Sequence, residues 1–193
     1  MLAAQKLFAE KGFNGTSVKD ICDAAGANIS AVNYHFKSKE DLFYELIRSF
    51  IAKSSDQLIQ TISTPAQNLE EFKTRLQIFF ETFFNYTEQN YEMVIVTLRN
   101  LHYFETVNAA ETRDFYYTIV NKIGEFISYG QKQKYLDDKS DSSILAEIIF
   151  GIVNSEIEKY NHTKLKIRTS LDKEYRQKFI SHAIDLVVKG MKA

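Results

Sequence analysis

Apolar residues recur at intervals of three and four along most of this chain, the spacing that places side chains on one face of an α-helix. A long stripe of this kind predicts a helix over residues 38–62, and Pro65 keeps the residue before it out of a helix. No segment shows the apolar and polar alternation of a half-buried strand. The pattern therefore predicts an all-α fold. Its further helices are expected over residues 67–88, 91–103, 106–129, 142–160 and 172–191.

Start and stop signals divide the N-terminal part of the chain into short helices. Ser17 and Asp20 have the spacing of a capping box, which begins a helix. Gly26 suits the left-handed position that ends a helix, and Asn28 is a suitable N-cap for the next helix, ISAVNYHF. A helix, a turn of about three residues and a second short helix form a helix-turn-helix, whose second helix can enter the major groove of DNA.

A set of residues at fixed spacing carries a known pattern in this same segment. Its members are Phe8, Gly12, Phe13, Thr16, Ser17, Val18, Ile21, Ala25, Gly26, Tyr34, His35, Phe36, Ser38, Lys39, Glu40 and Leu42. Through them the N-terminal quarter of the chain resembles the TetR family of transcriptional regulators. The chain departs from the family at Cys22, where Ala is usual, at Ala27 and Asn28, where Val and Ser are usual, and at Asn33, which is often Tyr.

The resemblance implies a division of labour within the all-α fold. Residues 1–45 would form a three-helix DNA-binding domain with the helix-turn-helix. Residues 46–193 would form a larger helical domain for effector binding and dimerisation. The expected function is a homodimeric repressor that a small apolar or aromatic effector releases from a palindromic double-stranded DNA operator.

The resemblance also implies which residues face DNA. Tyr34, His35 and Lys39 match positions that commonly contact phosphates, and Thr16 and Ser17 match a phosphate contact at the start of the preceding helix. Capping alone would also explain the last two, packing would explain the tyrosine, and the histidine could be an ordinary surface residue. Ser30, Ala31 and Asn33 match positions near base edges. Together with the N-cap Asn28 and with Lys37, the candidate set is Thr16, Ser17, Asn28, Ser30, Ala31, Asn33, Tyr34, His35, Lys37 and Lys39.

Charge gives this interpretation little support by itself. The formal net charge is −1, and residues 1–50 contain six Lys or Arg against six Asp or Glu. Non-specific DNA affinity depends on neutralising phosphates, so a neutral domain argues weakly against DNA binding. Lys37 and Lys39 do flank the turn after the second helix of the motif. We therefore expect few phosphate contacts per subunit and a need for dimerisation.

Aromatic residues are concentrated in the middle of the chain. Between Phe72 and Tyr135 lie 15 of the 26 Phe and Tyr residues. An apolar pocket with a few polar groups is the usual form of a small-molecule site, although a filled aromatic core would give the same pattern. The family resemblance implies an effector pocket in this body. Its candidate lining residues are Phe79, Phe83, Tyr103, Tyr116, Asn100 and Asn121.

The last two predicted helices carry broad apolar stripes. Ile148 and Ile184 are typical members, and Gly151 would permit close approach of two backbones. Such stripes are wider than one-sided packing in a monomer requires. Burial on both sides within one subunit would explain them too, but the resemblance implies a two-fold dimer interface over residues 144–160 and 172–191.

Other functional classes lack motifs in this sequence. The single Cys excludes an internal disulfide, and no apolar run approaches the length of a membrane span. We expect a cytoplasmic protein without a membrane segment, metal or cofactor. The four His residues are scattered, and no metal-binding or phosphate-loop motif occurs. The sequence therefore predicts that the chain is not an enzyme, while a helical enzyme with a dispersed site and a protein-binding adaptor remain as alternatives.

Overall fold

A computed structural model describes residues 1–100, 109–163 and 172–190 of the chain. Every regular element in these ranges is an α-helix, which confirms the predicted fold class. The helices are α1 (Leu2–Lys11), α2 (Val18–Ala25), α3 (Ile29–Phe36), α4 (Lys39–Ile62), α5 (Leu69–Gln89), α6 (Tyr91–Arg99), α7 (Ala109–Lys132), α8 (Ser142–Thr163) and α9 (Lys173–Gly190).

The observed helix bounds follow the predicted ones closely. The long helix predicted over 38–62 is α4, which ends at Ile62 as expected. Helix α7 continues to Lys132, a few residues beyond the predicted end at residue 129. The predicted end of one helix at residue 103 and start of another at 106 lie outside the described residues.

The chain forms two compact units. The first unit comprises residues 1–53 and 90–108, and the second comprises residues 54–89 and 109–193. This division differs from the predicted domain ranges 1–45 and 46–193, because Met93 and Val96 of α6 share a core with Phe8, Phe43 and the residues of α4 that follow position 45. The functional boundary after residue 45 stays a prediction.

The first unit holds the predicted helix-turn-helix on a small apolar core. Phe8, Phe43 and Ile47 are almost fully buried there. The Phe8 and Phe43 rings meet edge to face with centroids 4.8 Å apart, a geometry that aromatic pairs prefer. This core fixes α1 and the first turns of α4, between which α2 and α3 lie in the sequence.

The second unit has a large aromatic core. The Phe72 and Phe126 rings stack with centroids 4.7 Å apart, and the Tyr135 hydroxyl donates to the Ala66 carbonyl over 2.8 Å. Arg176 of α9 is 7% exposed, and its guanidinium donates to Asn85 Oδ1 and Glu88 Oε2 of α5 over 2.8 Å and 2.7 Å. These contacts connect α5, α7 and α9 through side chains far apart in the sequence.

Candidate nucleic-acid interface

The turn between α2 and α3 is bounded by the two residues that the sequence indicated. Asn28 lies in extended backbone and its side chain accepts from the Ser30 N–H over 2.8 Å. Gly26 has φ 61° and ψ 31°, the left-handed conformation that glycine adopts without a steric penalty. The predicted N-cap and helix stop are therefore confirmed, and together they turn the chain sharply between α2 and α3.

The start of α2 is a complete capping box. Ser17 Oγ accepts from the Asp20 N–H over 3.1 Å, and the Asp20 carboxylate accepts from the Ser17 N–H over 2.9 Å. The hydrogen bonds from Ser17 hold the pKa of the Asp20 carboxyl below its ordinary value, with smaller contributions from Lys11 and Lys19. The cap explains Ser17 fully, while its exposed side chain also leaves it accessible to a phosphate.

The capping box predicts a specific pH dependence. A carboxyl whose pKa is lowered in the folded state stabilises that state above its unfolded pKa, and this contribution disappears as the pH falls through the folded pKa. Asp20→Ala should therefore lower the melting temperature at about pH 7, and the gap to the wild type should narrow as the pH falls below about 4. Asp23→Ala, on the same helix but outside the box, is the control. A gap for Asp20→Ala that stays constant across this range would show that the carboxylate does not act as the cap.

Helix α3 is held by one edge and exposes the rest. None of its eight residues is buried. Val32 and Phe36 are partly buried and pack against the core of the first unit. The remaining predicted DNA-facing positions on this helix are exposed: Asn28, Ser30, Ala31, Asn33, Tyr34 and His35. The helix thus presents a mainly polar exposed surface with small side chains near its start, beside the 44% exposed Ile29.

Tyr34 is a strongly exposed member of this face. Its side chain is 84% exposed, so packing across the motif does not account for it. Its ring meets the His35 ring edge to face with centroids 5.5 Å apart. Because the ring and its hydroxyl are accessible, they can contact a sugar and a phosphate oxygen of DNA.

Thr16 occupies a different environment from the one predicted. It is 2% exposed, and its Oγ1 lies 2.8 Å from the Gly12 carbonyl oxygen and 3.1 Å from that of Leu7. The hydroxyl therefore ties the end of α1 to the following loop and is not accessible to a phosphate. We leave Thr16 out of the interface that we propose below.

The turn between α3 and α4 has an unusual backbone. Lys37 has φ 54° and ψ −45°, and the Ser38 N–H donates back to the Phe36 carbonyl, which makes a γ-turn of the rare, strained type. The turn exposes the Lys37 side chain. Ser38 caps α4, because its Oγ accepts from the Asp41 N–H over 3.0 Å. The next lysine, Lys39, turns its ammonium toward the loop after α1, where it donates to two backbone carbonyls.

The predicted effector residues do not form one group. Phe79 and Phe83 are buried in the core of the second unit, and Tyr116 packs against that same core. The Tyr116 ring meets Phe150 edge to face at 5.2 Å, and desolvation raises the pKa of its hydroxyl, with smaller contributions from Glu147 and Tyr117. The structure thus brings together only the three aromatic candidates that it describes.

Two of the other three candidates lie away from this core. Asn100 belongs to the first unit, where its amide donates to the Val96 carbonyl over 2.7 Å. Asn121 is exposed, because Ile119, Val120 and Ile123 occupy the packed side of α7. Tyr103 lies outside the described residues. Asn100 and Asn121 therefore do not join the aromatic core of the second unit.

The predicted dimerisation helices combine buried and exposed apolar residues. Ile184 is 7% exposed and belongs to the core of its own unit, so its assignment to the interface is corrected. Ile148 is 47% exposed, and Ile144 and Leu186 are 59% and 67% exposed. The sequence stripes did not reveal an open, mainly apolar groove that lies beside them. Its lining residues are Ile152, Tyr175, Lys178, Phe179, His182, Ala183 and Leu186.

Two known families match successive parts of this chain. Residues 1–46 match the family described as bacterial regulatory proteins, tetR family, and residues 51–183 match the C-terminal region of YsiA-like proteins. The chain belongs to the TetR family. The resemblance in the N-terminal quarter is thereby confirmed, and the match extends it over most of this TetR-family chain.

Relatives of this TetR-family chain are regulators and not enzymes. The transcriptional repressor KstR2 of Mycobacterium tuberculosis is 33% identical over 93 residues, which are 48% of this chain and 44% of that protein. The matched segment thus spans less than half of that relative. The uncharacterized regulator YdgC of Bacillus subtilis is 23% identical over 189 residues, which are 98% of this chain and 89% of YdgC.

Solved structures show the same fold. The regulator FadR of Bacillus subtilis in complex with stearoyl-CoA superimposes with a TM-score of 0.69 at 17% identity, over 98% of this chain and 96% of FadR.

Among the helices that the structure of the TetR-family chain describes, none is long and apolar enough to cross a membrane.

Proposed function

We propose that this TetR-family chain is a homodimeric transcriptional repressor that binds a palindromic DNA operator through α3 and leaves it when a small-molecule effector binds. The exposed polar face of α3 carries the proposal, because an eight-residue helix capped at Asn28, held by Val32 and Phe36 and otherwise exposed, has the form of a recognition helix. The relative KstR2 bears the name of a transcriptional repressor. Such a role belongs in the cytoplasm.

The chemistry of α3 indicates how it would read DNA. Asn33 can form a bidentate contact to the N6 and N7 atoms of adenine, and the Ala31 methyl group can meet the methyl group of thymine. Tyr34, His35 and Lys37 would contact sugar and phosphate, which fix orientation but carry no sequence information. All five side chains are exposed, as contact with DNA requires.

The direct test is binding to DNA upstream of the protein's own gene. Purified protein should retard such a fragment with two protomers per pseudo-palindromic site, as the symmetry of a dimer requires. Affinity for the site should exceed affinity for scrambled DNA by about a thousandfold or more at physiological salt. A helical enzyme or a protein-binding adaptor would show no difference between the two DNAs.

We further propose that the effector carries a long apolar chain. The structurally similar FadR of Bacillus subtilis was solved in complex with stearoyl-CoA, and the second unit of this chain has a core rich in Phe, including Phe79 and Phe83. Tyr116, at the edge of this core, would supply a hydroxyl for a polar group of the effector. A thioester of coenzyme A with a long acyl chain is therefore the first compound to test.

Helix α4 supplies a route for regulation. It begins at Lys39 in the first unit, and its residues from Ser54 onward belong to the second unit, where Leu58 and Ile62 are buried. An effector changes DNA affinity only if it binds two conformations of the protein differently. We propose that effector binding in the second unit displaces α4 and thereby the recognition helices of the dimer.

A further inference from the structure

The Lys39 side chain makes contacts within the first unit that a lysine serving only to bind a DNA phosphate would not need. Its Nζ donates to the Phe13 carbonyl over 3.0 Å and to the Thr16 carbonyl over 3.1 Å. The ammonium also lies 4.2 Å from the centroid of the Phe13 ring, within the range of a cation–π interaction. A lysine ammonium has three N–H donors, so two of them are used inside the protein.

The loop that Lys39 contacts is itself closely constrained. The Phe13 ring lies 4.7 Å from that of Phe43, and the Thr16 hydroxyl is bonded to the end of α1. A Cβ atom on Gly15 would lie 2.3 Å from the Lys11 carbonyl oxygen, so only glycine fits there without a shift of the backbone. The loop ends at Ser17, the N-cap of α2. Its position therefore determines where α2 begins.

We infer that Lys39 is a positioning residue for DNA recognition and not a phosphate contact. Its ammonium fastens the loop over residues 12–17 to the first residue of α4, one position after the Ser38 that caps this helix. This connection fixes the N-terminus of α2 and the turn at the end of α3 with respect to each other. The inference rests on the proposed role of α3 in binding DNA.

Salt dependence distinguishes the two roles of a lysine. Each phosphate neutralised releases counterions, so the logarithm of affinity falls with the logarithm of salt concentration with a slope of about 0.9 per contact. A lysine that only positions α2 and α3 contributes nothing to this slope. Its loss instead misplaces base-reading side chains, which lowers operator affinity more than affinity for scrambled DNA.

Lys37 offers a matched control two positions away. It is an exposed lysine in the turn between α3 and α4, and methionine at either position removes the charge while keeping an unbranched side chain. We would measure affinities of wild type, Lys39→Met and Lys37→Met for operator and scrambled DNA between about 50 and 200 mM salt. Melting temperatures of the three proteins are measured alongside.

We expect opposite behaviour from the two variants. Lys39→Met should lower the ratio of operator to scrambled affinity by about 5- to 150-fold, the discrimination of one bidentate base contact, with an unchanged salt slope. Lys37→Met should weaken binding to both DNAs and reduce the slope by about one per subunit. A Lys39→Met protein with the smaller slope and an unchanged affinity ratio would overturn the inference.

Two further variants separate positioning from a simple loss of folding. Phe13→Leu keeps the Lys39 charge but removes the ring under it, so it should lower the affinity ratio without changing the slope. Lys39→Arg restores a cation with several donors, so it should recover part of the ratio that Lys39→Met loses. An unchanged ratio for Phe13→Leu together with no recovery by Lys39→Arg would contradict the inference.

Failure of the proposed function has its own signature. If the wild type does not prefer any operator over scrambled DNA, the role of α3 is wrong, whatever Lys39 does. The contacts of Lys39 are then still measured by stability, because Lys39→Met should lower the melting temperature while Lys37→Met leaves it unchanged. Equal melting temperatures for Lys39→Met and the wild type would show that the ammonium does not fasten the loop.

Discussion

Replacement of Ile148 and Leu186 by glutamate is expected to convert the protein into a monomer that no longer binds its operator. Both side chains are exposed, at 47% and 67%, on helices α8 and α9 of the second unit. Leu186 also lines the apolar groove that includes Phe179 and Ala183. Burial of these surfaces against a second copy would explain why large apolar residues are exposed together.

The physical reason for the large effect is the burial of charge. Two glutamates per subunit would place unpaired carboxylates in the proposed interface, and an uncompensated buried charge costs about 3–5 kcal/mol. Residues 1–50 contain six basic and six acidic residues, so the electrostatic attraction of one subunit to DNA is small. A monomer would therefore keep only one set of base contacts and few phosphate contacts. Sedimentation should show the loss of the dimer, and gel retardation should show the loss of binding.

Ile78→Glu provides the matched control for this experiment. Ile78 is 48% exposed, close to the 47% of Ile148, but it lies on α5, outside the proposed interface. The control variant should remain dimeric and bind the operator. Ile184→Glu would not be informative, because the 7% exposed side chain belongs to the core and its replacement would unfold the unit. A dimeric Ile148→Glu, Leu186→Glu protein would place the interface elsewhere.

Operator DNA is expected to weaken the binding of stearoyl-CoA by about 5- to 150-fold, the usual range of coupling of about 1–3 kcal/mol between two sites. The reason is reciprocity, since an effector that lowers operator affinity must itself bind less tightly to the operator complex. Stearoyl-CoA would be titrated into the protein alone, with operator and with scrambled DNA. Only the operator should change the affinity of the protein for stearoyl-CoA.

Coenzyme A without an acyl chain is the control for the ligand. The proposed site is the aromatic core around Phe79 and Phe83, so the acyl chain should supply most of the affinity and coenzyme A alone should bind weakly. Equal affinities of stearoyl-CoA with and without operator would leave the site without a regulatory role. Absence of stearoyl-CoA binding would exclude this effector class while leaving the DNA-binding role untouched.

Local signals in the sequence determined most of the fold. Ser17, Gly26 and Asn28 each act on backbone groups within a few residues, so their roles as caps and stops were predictable from spacing alone. The long stripe of apolar residues at intervals of three and four likewise predicted α4 to its last residue, Ile62. These features depend on neighbours along the chain.

Side-chain partners across the fold were not predictable in this way. A position in a family pattern does not show that Thr16 bonds to Leu7 and Gly12, or that Lys39 reaches the Phe13 carbonyl 26 positions away. Helical spacing also identifies a stripe of apolar residues but does not show which of them are buried within the subunit. For this reason Ile184 and Ile148 were grouped together, although only the second is exposed.

The claim that α3 reads base edges is tested most directly by the sequence preference of Asn33→Ala. Wild type and variant would be measured on the operator, on every single-base change in one half-site, and on scrambled DNA. The account predicts a loss of about 1–3 kcal/mol on the operator, relaxed preference at one base pair per half-site and unchanged affinity for scrambled DNA. Equal losses on operator and scrambled DNA would contradict it.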